Sequence, residues 1–246
     1  MNQNKTGTLY GIGVGPGDPK LLTLKAAELL GKIKWIFAAA SNKEGKSLAL
    51  QIAEQFIHPN AQIMPLYFPM TRDKQTLEKA WQENCEKVKS VLKKGQDAAF
   101  LTLGDPSTYS TFTYLLRKLN QGSLFNVEIV PGITSYQASA AITGIPLAEA
   151  EESFTIVSGA KGTSELEQAL KYADNIVVLK AYKHYWQIVN LLKQKGLAEK
   201  TVAIRRCGLP DEEISFNIEE WNGEEKSYFT LLIIKKGTIK KQLSSS

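Results

Sequence analysis

The chain reads as a two-domain α/β protein, with a parallel, doubly wound five-stranded sheet in its first half and a mixed sheet in its second. Along the first half, five short apolar runs alternate with segments whose apolar residues recur at helical spacing. Along the second, five strand-like runs share only two good helices, so part of that sheet must pair antiparallel. At 246 residues, 43% hydrophobic and 22% charged, the chain can bury a large core without a disulfide or metal staple.

The first half opens on TLYGIGV (Thr8 to Val14), a short buried strand that runs into a glycine loop, Gly15 to Asp18. Leu22, Ala26, Leu29, Leu30 and Ile33 then recur at helical spacing. WIFAAA (Trp35 to Ala40) is the second strand, Ser47 to Phe56 a short helix, and Ile63 to Leu66 the third strand. A loop with Tyr67, Pro69 and Arg72 leads to a long helix whose face is Leu77, Trp81, Cys85, Val88 and Leu92, ended by Gly95. AAFLTL (Ala98 to Leu103) is the fourth strand, Tyr109 to Leu119 a helix, and VEIV (Val127 to Val130) the fifth strand, broken by Pro131-Gly132. In the second half, strands are predicted over Ser153 to Ser158, Asn175 to Lys180, Thr201 to Arg205, Glu213 to Phe216 and Tyr228 to Ile234. The two helices are Ser164 to Tyr172 and Tyr185 to Lys195, and the last strands follow one another through a turn at Trp221 to Glu225. The boundary falls between Val130 and Glu152, which places the domains at 1–130 and 131–246.

Thirty basic and 25 acidic residues leave a formal charge of +5, a mild excess that fits a polyanionic ligand or simple solubility. The densest cluster, Lys235, Lys236, Lys240 and Lys241, precedes three serines and reads as a solvated tail. No basic stripe interleaves with aromatics, so no nucleic-acid partner is expected. No apolar run nears the ~20 residues of a membrane span. The start, MNQNKTGTLYGIG, has no h-region, so the expected location is cytoplasmic. Two distant cysteines, Cys85 and Cys207, and two histidines, His58 and His184, argue for a reducing compartment and against a protein-held metal. Neither histidine has a G-x-S-x-G serine elbow to serve.

Four segments carry chemistry. GIGVGPGDP (11–19) follows the first strand, where bare glycine backbone lets a ligand approach. It is not the dinucleotide fingerprint, because Pro16 stands where the third glycine belongs, and no G-K-[S/T] follows to make a P-loop. LGDPSTYST (103–111) follows the fourth strand at its carboxyl end, the edge where open α/β sheets bind ligands. Asp105 there either caps the next helix or serves a ligand. PGITSYQASAA (131–141) joins a turn, hydroxyls at a helix start and small residues suited to close packing. The fourth set is LKAY (179–182), RRCG (205–208) and FTLL (229–232), which as sequence are ordinary strand ends.

In their order, GIGVGPGDPKLLTLKA, LTLGDPSTYST and VEIVPGITSYQASAA with IPL after it resemble the tetrapyrrole (corrin/porphyrin) methyltransferases over nearly the whole chain. The resemblance implies the class III methyltransferase fold, a homodimer, and S-adenosylmethionine as donor in the cleft between domains, leaving as S-adenosylhomocysteine. The form L-G-D-P-x-x-Y-S-T, the length and the polar-basic segment around Arg72 look most like enzymes that methylate C20 of precorrin-2 or cobalt-factor II, in cobalamin biosynthesis. The same resemblance takes in uroporphyrinogen-III and later corrin C-methyltransferases, diphthine synthase and an rRNA ribose methyltransferase. A non-catalytic donor-binding module is the alternative from outside enzymology.

Carried over residue by residue, Pro16 borders donor and substrate, and Leu103, Gly104 and Asp105 line the donor. Tyr109, Ser135 and Tyr136 match positions beside its amino-acid and sulfonium end. Leu179, Tyr182, Arg206, Cys207, Thr230 and Leu231 fall where second-domain backbone holds adenine, with Ser158 and Gly159 as further neighbours. Asp105 is the candidate to orient groups or take a proton, or else to anchor the donor's amino group. A polycarboxylate substrate gives the positive charge a use: Arg72 is the favoured partner, with Lys43, Lys46 and Lys74 nearby.

Overall fold

A computed structural model of the chain describes residues 6–40, 47–69, 71, 73–120, 125–221 and 227–237. They form two compact units, Met1–Thr134 and Ser135–Ser246.

The first unit holds strands β1 (Thr8–Gly13), β2 (Trp35–Ala40), β3 (Gln62–Tyr67), β4 (Ala98–Thr102) and β5 (Asn126–Val130). They form one sheet in the order β3-β2-β4-β1-β5, and every pairing is parallel. Its helices are α1 (Leu24–Leu30), α2 (Leu48–Ala53), α3 (Lys74–Leu92) and α4 (Phe112–Leu119). The two-residue period of β4 divides the core. Ala98 and Phe100 face one cluster with Cys85, Val88 and Leu92 of α3 and Phe112, Leu115 and Leu119 of α4. Ala99 and Leu101 face another with Ala26 and Leu30 of α1 and Ile52 of α2. A sheet covered on both faces needs strands apolar on both sides, which is why AAFLT is wholly buried. The long helix α3 starts where Asp73 accepts from the Thr76 hydroxyl at 2.5 Å and the Thr76 amide at 2.8 Å, and those hydrogen bonds hold the Asp73 carboxyl below its usual range. The helix after β4 starts at Phe112 rather than Tyr109. Tyr109 has a φ of 50°, and the Ser110 hydroxyl accepts from the Phe112 amide at 3.0 Å.

The second unit opens with α5 (Ser135–Thr143), then β6 (Phe154–Ser158), α6 (Ser164–Tyr172), β7 (Asn175–Leu179), α7 (Tyr185–Gln194), β8 (Thr201–Arg205), β9 (Glu213–Ser215) and β10 (Thr230–Lys235). The sheet order is β6-β7-β10-β8-β9. β10 does not pair with β9, as succession in the sequence suggested. It inserts antiparallel between β7 and β8. Burial explains the choice: all six residues of β10 are buried, as a central strand requires, whereas β9 is largely exposed and closes the edge. Of the predicted turn, residues 222–225 lie outside the described residues. One face packs on α6 and α7 through Val157, Ile176, Val178, Leu232 and Ile234, and α5 lies against β10.

The basic cluster at the end is not all tail. Lys235 is buried at the end of β10, paired with Glu149 and with Glu152 at 3.1 Å, and Lys236 donates to the Leu170 carbonyl at 2.8 Å. The strand continues one residue past its apolar run because these partners satisfy the buried ammonium. Lys240 and Lys241 lie outside the described residues.

Lys235→Ala should lower stability by about 1–2 kcal/mol in urea unfolding, the worth of charge-assisted hydrogen bonds to partly exposed carboxylates. The Asn175 amide and then Lys235 hold the Glu152 carboxyl below its ordinary value of 4.5. A lowered folded-state value stabilises above that ordinary value and is lost as pH falls through the folded one. The difference between wild type and variant should therefore be full at neutral pH and shrink below about pH 4.5.

Candidate functional site

In the first unit, β1 lies between β4 and β5, so the loops leaving these three strands are neighbours at the carboxyl edge of the sheet. They touch backbone to backbone. Gly15 and Gly104 form an isolated antiparallel bridge, with N–H to O distances of 3.3 and 2.8 Å. A Cβ on Gly13 would stand 2.5 Å from the Gly104 oxygen and 2.7 Å from the Gly132 nitrogen. One on Gly132 would stand 2.2 Å from the same oxygen. Only bare backbone permits this approach. At Gly104 the φ is +69°, and beyond it the nearest atom in the Cβ direction is Thr134 Cα at 3.9 Å. The left-handed turn thus carries no side chain and packs at ordinary contact distance on the backbone of Ile133 and Thr134.

Asp105 ties the β4 loop to the β5 loop. Its Oδ2 accepts from the Gly132 amide at 3.0 Å and its Oδ1 from the Ser107 amide at 2.8 Å. It does not cap α4, which begins seven residues on. Below it, Thr102 and Ser110 share a buried hydroxyl hydrogen bond of 2.8 Å. Between them in sequence, exposed Tyr109 is held left-handed, a conformation that costs a non-glycine residue roughly 1–2 kcal/mol. Pro16 is buried in the β1 loop, and Leu103 is half-buried. Pro16, Leu103, Gly104, Asp105 and Tyr109 therefore all belong to loops at one sheet edge.

In the second unit, β6, β7 and β8 run in one direction and β10 in the other, so three carboxyl ends and the start of β10 share an edge. The register sets Ser158 beside Leu179, Leu179 beside Leu231, and Arg205 beside Thr230. Tyr182, Arg206, Cys207 and Gly159 lie one to three residues beyond these strand ends. Ser135 and Tyr136 are the first two residues of α5. Lys180 and Arg206 are both left-handed, with φ of 57° and 55°, where β7 and β8 end. Repeated strain at equivalent strand ends points to backbone groups aimed for use.

Burial pushes the Cys207 thiol up to about 11, with Ser139 working weakly the other way. At neutral pH it stays a thiol and is no nucleophile. Arg72, Lys43 and Lys46 lie outside the described residues, and Lys74 is the exposed first residue of α3. Asp211 and Tyr228 carry no motif in the sequence, while Phe229 opens the FTLL segment. They line a cavity of about 590 Å³ in this unit with Arg205, Arg206, Glu213 and Ser227. The signal available for it was the doubled arginine at a strand end with an aspartate five residues on.

The family model "Tetrapyrrole (Corrin/Porphyrin) Methylases" matches residues 8–220. The cobalt-precorrin-2 C(20)-methyltransferase of Salmonella typhimurium is 34% identical over 231 residues, spanning 94% of this chain and 97% of the relative. The probable cobalt-precorrin-2 C(20)-methyltransferase of Methanocaldococcus jannaschii is 38% identical over 235 residues, spanning 93% and 96%. Among solved structures, uroporphyrin-III C-methyl transferase from Thermus thermophilus, complexed with S-adenyl homocysteine, is similar with a TM-score of 0.63 and 25% identity. That match covers 94% of this chain and 98% of the other.

A raised thiol value stabilises the fold below the ordinary value of 9.0, and the effect is lost as pH rises toward 11. Wild type should therefore lose up to about 2–3 kcal/mol more than Cys207→Ala between pH 9 and 11, measured by urea unfolding at each pH.

Proposed function

The chain belongs to the tetrapyrrole (corrin/porphyrin) methylases, and from that footing we propose that it transfers a methyl group from S-adenosylmethionine to C20 of precorrin-2, in cobalamin biosynthesis. The observation that carries this is the near end-to-end match to two C(20)-methyltransferases, at 34% and 38% identity. Both names specify a cobalt-bearing ring. Cobalt-precorrin-2 or cobalt-factor II is accordingly the proposed form, with the metal carried by the substrate.

The residues present fit such a donor. Gly104 contributes left-handed backbone with no side chain, and the second-unit edge sets apolar Leu179 and Leu231 beside Tyr182 and left-handed backbone. S-adenosylmethionine supplies, when bound, a methyl group activated by its sulfonium. We assign Leu103, Gly104, Tyr109, Ser135 and Tyr136 to the donor's amino-acid and sulfonium end. Backbone at Leu179, Tyr182, Arg206, Cys207, Thr230 and Leu231 is assigned to the adenine. Pro16 stands toward the ring to be methylated.

The nucleophile in this chemistry is an electron-rich carbon of the substrate, so the chain need not supply one. That agrees with Cys207 remaining a thiol and with Asp105 spending its two oxygens on Ser107 and Gly132 amides. Of the roles considered for Asp105, the geometry favours orientation: it fixes the loops that line the donor. Catalysis is then mostly alignment, which can supply effective molarities of about 10⁵ M and more. The homodimer and the cytoplasmic location belong to the same proposal.

The test is an anaerobic methyl-transfer assay with labelled S-adenosylmethionine, offering precorrin-2 and cobalt-factor II side by side, with NMR of the product. The expected result is a methyl on C20, the cobalt ring being the better substrate. Donor binding without transfer to either ring would sink the proposal. Asp105→Ala is expected to weaken donor affinity and turnover by similar factors. A loss confined to turnover would assign Asp105 a proton-transfer role instead.

A further inference from the structure

We propose that the cavity beside Arg206 is a recognition site for a carboxylate side chain of the tetrapyrrole substrate, and that Asp211 occupies the guanidinium until the substrate replaces it. This rests on the methyltransferase reading above.

The cavity, about 590 Å³, contains two arginines in different circumstances. Arg205 is committed to the fold. It is 7% exposed, ion-paired with Glu213, and its guanidinium lies 5.5 Å from the centre of the Trp221 ring. Arg206 is not so committed. Its side chain is 33% exposed, and the Asp211 carboxylate on its Nε belongs to a side chain 61% exposed. Exposed pairs hold each other weakly, so an incoming carboxylate displaces Asp211 at little cost. The Asp211 carboxylate paired with Arg206 Nε marks a position where a carboxylate meets this guanidinium, and the pair holds the Asp211 carboxyl below its ordinary range. A guanidinium suits that exchange because it pairs a carboxylate through two parallel hydrogen bonds.

The surroundings fit an acid carried on a flat apolar body. Tyr228 and Phe229 line the cavity edge to face, with ring centres 5.3 Å apart, and the Tyr182 ring lies 5.7 Å from Tyr228. The Lys180 ammonium sits 5.6 Å from the centre of the Tyr228 ring, adding a cation on the same aromatic group. The left-handed backbone at both Lys180 and Arg206 fixes where these cations start. A conjugated macrocycle with several acid side chains matches this combination. The donor's carboxylate, which travels beside an ammonium, is the competing source of the same chemistry.

The test compares wild type with Arg206→Asn, Arg206→Lys and Asp211→Asn in the methyl-transfer assay, alongside calorimetry with S-adenosylhomocysteine. Asparagine is chosen because it tolerates left-handed backbone. Arg206→Asn should raise KM for the tetrapyrrole about tenfold or more, a larger factor than any loss of S-adenosylhomocysteine affinity, because the adenine is assigned to the Arg206 backbone and not to its guanidinium. Arg206→Lys should fall between the two, and Asp211→Asn should lower KM by freeing the guanidinium. An unchanged KM in Arg206→Asn overturns the proposal. So does an equal loss of S-adenosylhomocysteine affinity, which would give the cavity to the donor. If wild type methylates no tetrapyrrole at all, the underlying reading falls first and this inference with it.

Discussion

The close approach of three backbones, at Gly13, Gly104 and Gly132, is the constraint on which the first unit's functional edge depends. No side chain fits among them, since a Cβ at Gly132 would lie 2.2 Å from the Gly104 oxygen. The approach is possible because β1 sits between β4 and β5, so three parallel strands deliver their loops side by side. Asp105 then joins the β4 loop to the β5 loop through the Gly132 amide. A buried sheet with helices on both faces keeps those strands in register. The result is a rigid platform made of backbone, which is what alignment chemistry asks for.

The second unit reaches a similar end by other means. Its edge is built from strand termini of opposite direction, with β10 threaded between β7 and β8. Left-handed Lys180 and Arg206 turn the chain sharply where the strands stop. Cys207, at the end of β8, is kept protonated by burial. Proposed methyl transfer to a substrate carbon requires no more than this from the chain, provided that donor and acceptor are held in line.

Most of the fold was legible because its strands are short continuous apolar runs bounded by glycine, proline or charge. Trp35 to Ala40 and Thr201 to Arg205 coincide with the observed β2 and β8 to the residue. The meeting of the three first-unit loops was legible as well, because parallel order alone brings GIGVGPGDP, LGDP and PGIT to one edge. What escaped the residues was long-range. Nothing local says that β10 skips β9, a choice made by burying both faces of TLLIIK. Tyr109 looks helical by composition, but its φ of 50° and the Ser110 hydroxyl on the Phe112 amide put the helix start later. The solvated-tail reading of Lys235 failed because its carboxylate partners lie more than eighty residues away. The Arg206 cavity escaped because an arginine's partner cannot be read from its own segment.

If the glycine contact organises the donor site, enlarging it by one methyl group must be felt there. The most direct measurement is calorimetric titration of S-adenosylhomocysteine into Gly132→Ala and wild type, with circular dichroism confirming that both are folded. The account predicts a loss of affinity of about tenfold or more in the variant, since the Gly104 and Gly132 backbones must separate to admit the Cβ. Unchanged affinity in a folded Gly132→Ala protein would contradict it.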